Sequence, residues 1–185
     1  MSQKPISKQE LRAQMIKIAK DSPSPEPNIV AQKITETQQY KEAQIVICYI
    51  ALKSEIDISL VADIAIKDNK QVVFVGETPG ILNIADENWK DNIIKLNNKT
   101  ETIISSKVLN IKQRSSTLPQ KGIILVPGLA FTKFGTRLGR GAGYYDELLH
   151  LTKNIYSIGI CKKAQLLEEL PTEPHDCKVD VVFDF

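Results

Sequence analysis

The run Ile45-Val46-Ile47-Cys48-Tyr49-Ile50, the stretch from Asp57 to Lys70, and Gln71-Val72-Val73-Phe74-Val75 together decide the fold class of this chain. The first is a continuous apolar run, short enough for a strand covered on both faces, as in a parallel sheet. In the second, Ile58, Val61 and Ala65 fall on one helical face. The third reads as another buried strand, stopped by the turn Gly76-Glu77-Thr78-Pro79-Gly80. Strand, helix, strand means a right-handed crossover between parallel strands.

Toward the N-terminus, Ser7-Lys8-Gln9-Glu10 has capping-box form, and Leu11, Met15 and Ile18 follow at helical spacing. This predicts a helix over about 7–20 that ends at the proline-rich Asp21-Ser22-Pro23-Ser24-Pro25-Glu26-Pro27. A second amphipathic helix, with Ile29, Val30 and Ile34 inward, leads to Tyr40. Toward the C-terminus, residues 85–119 are rich in Asn and Lys, with short apolar clusters such as Ile93-Ile94 and Ile103-Ile104, and yield no assignment. The pattern resumes with a strand at Gly122 to Val126, stopped by Pro127-Gly128, and a glycine-rich segment. A helix from Tyr144 to Leu151, a strand from Ile155 to Ile160, a short helix from Ala164 to Leu170 and a strand from Val179 to Phe183 complete it. Alternating β and α elements with apolar strands predict an α/β fold, a mostly parallel sheet layered between helices.

A chain of 185 residues suits one domain, 1–185, with a radius of gyration of roughly 16 Å and about 70% of its unfolded surface buried. Lys plus Arg number 24 against 22 Asp plus Glu, a net charge of +2 that provides no broad basic field for nucleic acid or anionic lipid. The longest apolar run, Ile45 to Leu52, is too short to cross a bilayer, and Met1-Ser2-Gln3-Lys4-Pro5 lacks the apolar core of a secretory signal. Cys48, Cys161 and Cys177 are widely spaced and form no CxxC pair, so neither a disulfide framework nor a thiolate metal site is indicated. The expectation is a cytoplasmic protein.

Chemistry concentrates in Arg137-Leu138-Gly139-Arg140-Gly141-Ala142-Gly143-Tyr144-Tyr145-Asp146. Alternate glycines let the backbone aim several N–H groups at one point, and the following helix adds the positive end of its dipole. Arg137 and Arg140, two of only four arginines in the chain, flank this cradle with planar donors suited to phosphate. The segment is neither a Walker loop nor a GxGxxG turn. Glycine spacing alone fits equally a phosphate cradle or a flexible surface loop with a helix cap. Tyr144 and Tyr145 suit core aromatics as well as ligand contacts. Asp146 suits a first-turn carboxylate or an Mg²⁺ ligand, with Asp176 or Asp180 as a second. Glu55 lies beyond the first strand, where open α/β sheets bind ligands, though a solvated carboxylate there is equally ordinary. Lys8 and Arg12 share one helical face that reaches either an anion or water. His150 and His175 are isolated, and no HExxH or GxSxG occurs, so nucleophilic hydrolase chemistry lacks support.

Leu125-Val126-Pro127-Gly128-Leu129-Ala130-Phe131, then Gly135 and the Arg137 to Asp146 segment, resemble the signature of the 5-formyltetrahydrofolate cyclo-ligase family. Gln165, Leu170-Pro171, Glu173, His175-Asp176 and Val179-Asp180 are similar to that family's closing pattern, as are Lys8 to Arg12 and Tyr49 to Asp57 to its N-terminal half. The resemblance implies a single three-layer α/β/α, Rossmann-like domain that converts 5-formyltetrahydrofolate to 5,10-methenyltetrahydrofolate with ATP and Mg²⁺. It implies ATP held by Lys8, Leu11, Arg12 and Arg137, Leu138, Gly139, Arg140, Gly141, Ala142, Gly143, Tyr144 and Tyr145. The folate is implied at Ile50 and Glu55 and against Arg140, Gly141, Ala142, Gly143 and Tyr144. Mg²⁺ is implied at Asp146 and Asp176, and catalytic roles at Arg140 and Tyr145. A monomer acting on a small reduced folate, without nucleic acid or membrane, is the corresponding expectation. Thr132 stands where the family usually has Asp, Ala142 where it often has Lys or Gly, and Gly76-Glu77 where a Pro precedes a basic residue. These departures motivate a competing reading, a non-catalytic folate- or nucleotide-binding module of the same fold.

Overall fold

Ile45–Cys48, buried throughout, form the central strand of a seven-stranded sheet in the computed structural model. The structure describes residues 6–96, 100–103, 108–112, 118–119 and 121–185; Met1 to Pro5, Ile104 and Arg114 lie outside the described residues. In chain order the elements are α1 (Lys8–Asp21), α2 (Pro27–Thr35), α3 (Gln38–Glu42), β1 (Ile45–Cys48), α4 (Ser59–Lys67), β2 (Gln71–Val75), β3 (Ile81–Ile84), a 3-10 turn (Trp89–Asn92), β4 (Ile93–Leu96), β5 (Thr100–Ile103), β6 (Val108–Asn110), β7 (Gly122–Pro127), β8 (Ala130–Thr132), β9 (Arg137–Leu138), α5 (Tyr144–Leu151), β10 (Tyr156–Cys161), a 3-10 turn (Lys163–Gln165), β11 (Leu166–Leu167) and β12 (Val181–Asp184).

The large sheet runs β12-β10-β7-β1-β2-β3-β6. It is parallel from β12 to β2, and β3 and β6 add an antiparallel edge, β6 from the stretch the sequence left unassigned and β3 from the residues just before it. Alternate residues of β1 point to opposite faces, as the pleat requires. Val46 and Cys48 pack in one core with Val30 and Ile34 of α2 and Val61 and Ala65 of α4. Ile45 and Ile47 pack in the other with Leu148 and Leu149 of α5. The result is the expected α/β/α layering, and each buried Val, Leu or Ile contributes about 1.5–3 kcal/mol. A smaller sheet, β11-β8-β9, seats α1 through Leu11, Met15, Leu129, Ala130 and Leu138.

Local chemistry explains where sequence periodicity misplaced elements. The second helix is interrupted because the Thr37 hydroxyl donates to the Ile34 carbonyl and accepts from the Tyr40 N–H, ending α2 and capping α3. Ile29 faces outward, 56% exposed, while Val30, Ala31 and Ile34 supply the buried face. The first strand stops at Cys48 instead of continuing to Ile50, and the buried Tyr49 hydroxyl donates to the Ile56 carbonyl, 2.8 Å, bracing the loop that follows. The expected helix from Ala164 to Leu170 is a single 3-10 turn followed by β11, because Leu166 and Leu167 pair with Phe131 and Thr132. Its Gln165 is buried and donates through Nε2 to the carbonyls of Gly128 and Leu129.

The capping box predicted at Ser7 is present: the Ser7 side chain accepts from the Glu10 N–H, and the Glu10 carboxylate accepts from the Ser7 N–H. The other end of α1 is held by Lys162, 3% exposed, whose Nζ donates to the carbonyls of Ala19 and Ser22 at 2.8 and 2.9 Å. Burial lowers the pKa of this lysine. Helix C-termini leave carbonyls without intrahelical partners, and a buried cation satisfies two here. Lys162→Met should cost about 1–2 kcal/mol by urea denaturation, since two carbonyls lose their donor; an unchanged midpoint would show that water replaces the ammonium.

Candidate active site

Five stretches far apart in sequence line a cleft of about 250 Å³: the first turns of α1, Glu55, the end of β7, the run from β9 into α5, and Glu173 to Asp176. Its position follows from topology, because β1 and β7 are parallel neighbours and the chain leaves both at the same sheet edge. One face of α1 buries Leu11, Met15 and Ala19, which sets the helix against the small sheet and turns Lys8 and Arg12 into the cleft. Leu11 is part of that core and does not line the cleft.

Gly139 to Asp146 carry the cleft wall. None of their backbone N–H groups has an acceptor among the described residues. Gly141 and Gly143 adopt φ of +103° and +67°, a region that side chains rarely tolerate, and Gly143 is the N-cap of α5. The turn therefore presents free N–H groups and the positive end of a helix dipole to one space. Arg12 reaches beneath this turn: its Nε donates to the Gly139 carbonyl at 3.1 Å, leaving its terminal nitrogens without partners among the described residues. The donor set suits the oxygens of an anion with several charges, such as a polyphosphate.

Arg137 and Leu138 lie in a strand and are buried, where the sequence indicated a loop. The Arg137 side chain is 3% exposed and donates from Nη2 to Asp146 Oδ1 at 3.0 Å. The same oxygen accepts from the Cys177 N–H at 3.1 Å. Arg137 Nε is buried with no partner among the described residues, an orphaned donor on a residue that lines the cleft. The guanidinium also lies 5.5 Å from the Tyr145 ring centroid. Burial, the Glu55 carboxylate and the Tyr144 phenol push the Tyr145 hydroxyl well above its ordinary pKa, against the opposing pull of Arg137, so it remains a proton donor. Tyr144 instead donates its hydroxyl to the Gly76 carbonyl at 2.7 Å, tying the start of α5 to the end of β2.

Lys8 closes the cleft on the other side. Its Nζ contacts Asp176 at 2.6 Å and Glu173 at 2.7 Å. Burial works against its charge, and the two carboxylates outweigh it, so its pKa is raised. Burial pushes Asp176 up, but Lys8 and the Glu173 N–H hold it below the ordinary carboxylate range. Asp146 and Asp176 therefore line the same cleft, each with one carboxylate oxygen engaged and the other without a hydrogen bond among the described residues. Each free oxygen is a hard ligand of the kind a divalent cation takes, and around Asp176 the ligand atoms of Glu173, His175 and Asp176 lie within 4.8 Å of one another. Asp180, the alternative ligand, is turned elsewhere and accepts from the N–H and hydroxyl of Ser157.

Ile50 lies outside this cleft, in a neighbouring cavity of about 750 Å³ that Tyr49, Leu52, Trp89 and Lys90 also line. Glu55 lines both spaces. Sequence reasoning did not find Trp89, since it sits in the unassigned stretch; being the only Trp of the chain was its one signal. Its ring stacks on Phe74 with centroids 4.5 Å apart, and its Nε1 donates to Asp63, which also pairs with Lys90. Trp89 is 3% exposed, so its ring backs this wall from the core, and only its edge reaches the cavity.

The departures at Thr132 and Gly76 have structural explanations. Thr132 is buried in the β8–β9 hairpin, where its Oγ1 accepts from the N–H groups of Phe134 and Thr136. At Gly76 the backbone closes a hairpin, and a Cβ there would meet the Ile81 carbonyl oxygen at 2.8 Å.

Comparison with known proteins draws the same outline. The 5-formyltetrahydrofolate cyclo-ligase family profile matches residues 1–184. A 5-formyltetrahydrofolate cyclo-ligase of Mus musculus is 28% identical over 168 residues, covering 83% of this chain and 79% of that protein. A probable 5-formyltetrahydrofolate cyclo-ligase of Caenorhabditis elegans is 25% identical over 180 residues, covering 90% and 84%. The solution structure of 5,10-methenyltetrahydrofolate synthetase from Aquifex aeolicus superposes with a TM-score of 0.74 at 22% identity, covering 96% of this chain and 89% of that one. The structure of a 5,10-methenyltetrahydrofolate synthetase from Mycoplasma pneumoniae superposes with a TM-score of 0.66 at 21% identity, covering 96% of this chain and 98% of that one. With a profile match over nearly every residue and the shared architecture, the chain belongs to the 5-formyltetrahydrofolate cyclo-ligase family.

Proposed function

We propose that this protein converts 5-formyltetrahydrofolate to 5,10-methenyltetrahydrofolate at the cost of ATP, releasing ADP and phosphate. The observation that carries the reading is the wall from Gly139 to Asp146, whose unpaired N–H groups face the cleft joined through Glu55 to the Trp89 cavity. The triphosphate lies along that wall against Lys8, Arg12 and Arg140, and the folate occupies the cavity lined by Ile50 and Glu55. The formyl group on N5 is an amide, and its oxygen leaves poorly unless activated. The γ-phosphoryl is transferred to that oxygen, N10 attacks the resulting imidate carbon, and phosphate departs with the oxygen while the N10 proton is lost to solvent, leaving the methenyl bridge. Arg140 stabilises charge on the transferring group, and the protonated Tyr145 hydroxyl donates to an oxygen of the phosphoryl or formyl group. Asp146 and Asp176 would hold Mg²⁺, which when bound neutralises phosphate charge. Positioning and charge stabilisation suffice for this chemistry, so a covalent nucleophile is not required.

The accounts of Thr132 and Gly76 leave the cleft intact, which favours catalysis over a non-catalytic binding module. The same reading makes the protein a single-domain, cytoplasmic monomer acting on a small molecule; light scattering should return a mass near 20.7 kDa. The net charge of +2 agrees with a partner other than nucleic acid, and no helix among the described residues is long and apolar enough to cross a membrane.

Purified protein with Mg-ATP and 5-formyltetrahydrofolate should form ADP and the methenyl product, followed by near-UV absorbance. Binding of both ligands with no ADP formed would instead establish the non-catalytic module. Arg140→Ala should lower turnover on the order of 10²-fold while costing about 1–2 kcal/mol of unfolding free energy, because Glu55 loses the donor to its Oε1; equal turnover in variant and parent would remove Arg140 from the reaction.

The Lys8–Asp176 contact predicts an acid-sensitive closure. The pKa of Asp176 is depressed in the folded chain, so its contribution is fully present above the ordinary value of 3.8 and is lost as pH falls through the folded value. Stability measured by denaturant between pH 5 and about 2.5 should fall less steeply in Asp176→Asn than in the parent; parallel curves would show that the pair adds nothing to folding.

A further inference from the structure

Glu55 stands at the junction of the two cavities, and each of its oxygens already has a partner. Oε2 accepts from the Leu52 N–H at 3.0 Å, which fixes the carboxylate to its own loop. Oε1 accepts from Arg140 Nε and Nη2 at 3.3 and 3.2 Å, and Nη2 also reaches Ser54 Oγ at 3.1 Å. Those distances exceed the 2.7–2.9 Å of a tight charge-assisted bond. The pair is also asymmetric: the Glu55 side chain is 11% exposed and that of Arg140 is 41%. Arg140 can therefore swing to an arriving anion, whereas Glu55 cannot follow it. Left behind, a nearly buried carboxylate needs a new donor, because an unpaired buried charge is costly. Tyr49 and Tyr145 are the ionisable neighbours that feel this charge, and both are pushed toward their neutral forms by burial first and by Glu55 next. Neither replaces a cation.

We propose that Glu55 is a positioning residue coupling the two cavities: it holds Arg140 while both are empty, and a ligand that takes either partner frees the other. A phosphate that draws Arg140 away leaves Glu55 ready for N–H donors of the group entering the Trp89 cavity, and a donor on Glu55 releases Arg140 to phosphate. The two ligands then bind with positive cooperativity, and the effect is reciprocal by linkage. This inference rests on the function proposed above.

The experiment measures binding of the non-hydrolysable β,γ-imido analogue of Mg-ATP with and without saturating 5-formyltetrahydrofolate. In the parent protein the folate should tighten nucleotide binding at least roughly fivefold. In Glu55→Gln, nucleotide alone should bind tighter than to the parent, and the added folate should no longer change its affinity. In the Arg140→Ala background, Glu55→Gln should have little further effect, which separates the latch from a general gain by removing negative charge. Ser54→Ala, which removes only a hydroxyl contact to Nη2, should shift nucleotide affinity in the same direction by a smaller factor. Independent binding in the parent, coupling that persists in Glu55→Gln, or weaker nucleotide binding in that variant would each overturn the proposal. Failure of the parent to bind either ligand would overturn the proposed function itself.

Discussion

A guanidinium buried as deeply as that of Arg137 must be neutralised where it stands, and this requirement organises the site. Its counter-charge, Asp146, is placed in the first turn of α5, and the same carboxylate oxygen receives the Cys177 N–H. One ion pair thereby locks three pieces of backbone together: β9, the start of α5 and the segment before β12. The intervening turn has its two ends fixed and is free to present N–H groups in between. Removing either partner would strand a buried charge, so the frame of the cradle is more constrained than the cradle itself.

Facing that frame, α1 forms the opposite wall and is held at both ends. Lys162 satisfies its last carbonyls, and Lys8 joins its first turn to Glu173 and Asp176. Between these points Leu11, Met15 and Ala19 provide the apolar contact. Polar groups of opposite sign thus face each other across the space that the ligands are proposed to share, each satisfied in part and each with capacity left.

The layered fold was legible because its strands are apolar runs, its crossover helix has a clean apolar face, and its N-terminal helix carries a capping box. The helix from Tyr144 to Leu151 matched to the residue, since a glycine cap and an apolar stripe mark both of its ends. Periodicity failed where a single side-chain hydrogen bond decided the outcome, as with Thr37 between two helices and Gln165 in a turn that resembled a helix. It also gave no strand for β3 and β6, short segments that pair at the edge of a sheet whose other strands are apolar runs. At the site, the arginines were visible as a scarce residue type beside glycines. What could not be read was that Arg137 turns inward to a carboxylate while Arg140 turns outward to another, because both depend on residues distant in the chain.

The contact between Lys8 and Asp176 spans 168 positions of sequence. During synthesis the helix bearing Lys8 emerges early, while its counter-charge and the strand that completes the sheet edge are still to be translated. An incomplete chain can pair β1 with β2 and β7, yet it holds an ammonium with no partner and a cleft lacking one side. The side of the cleft formed by Glu173 and Asp176 is therefore completed only after most of the hydrophobic core is already available to fold.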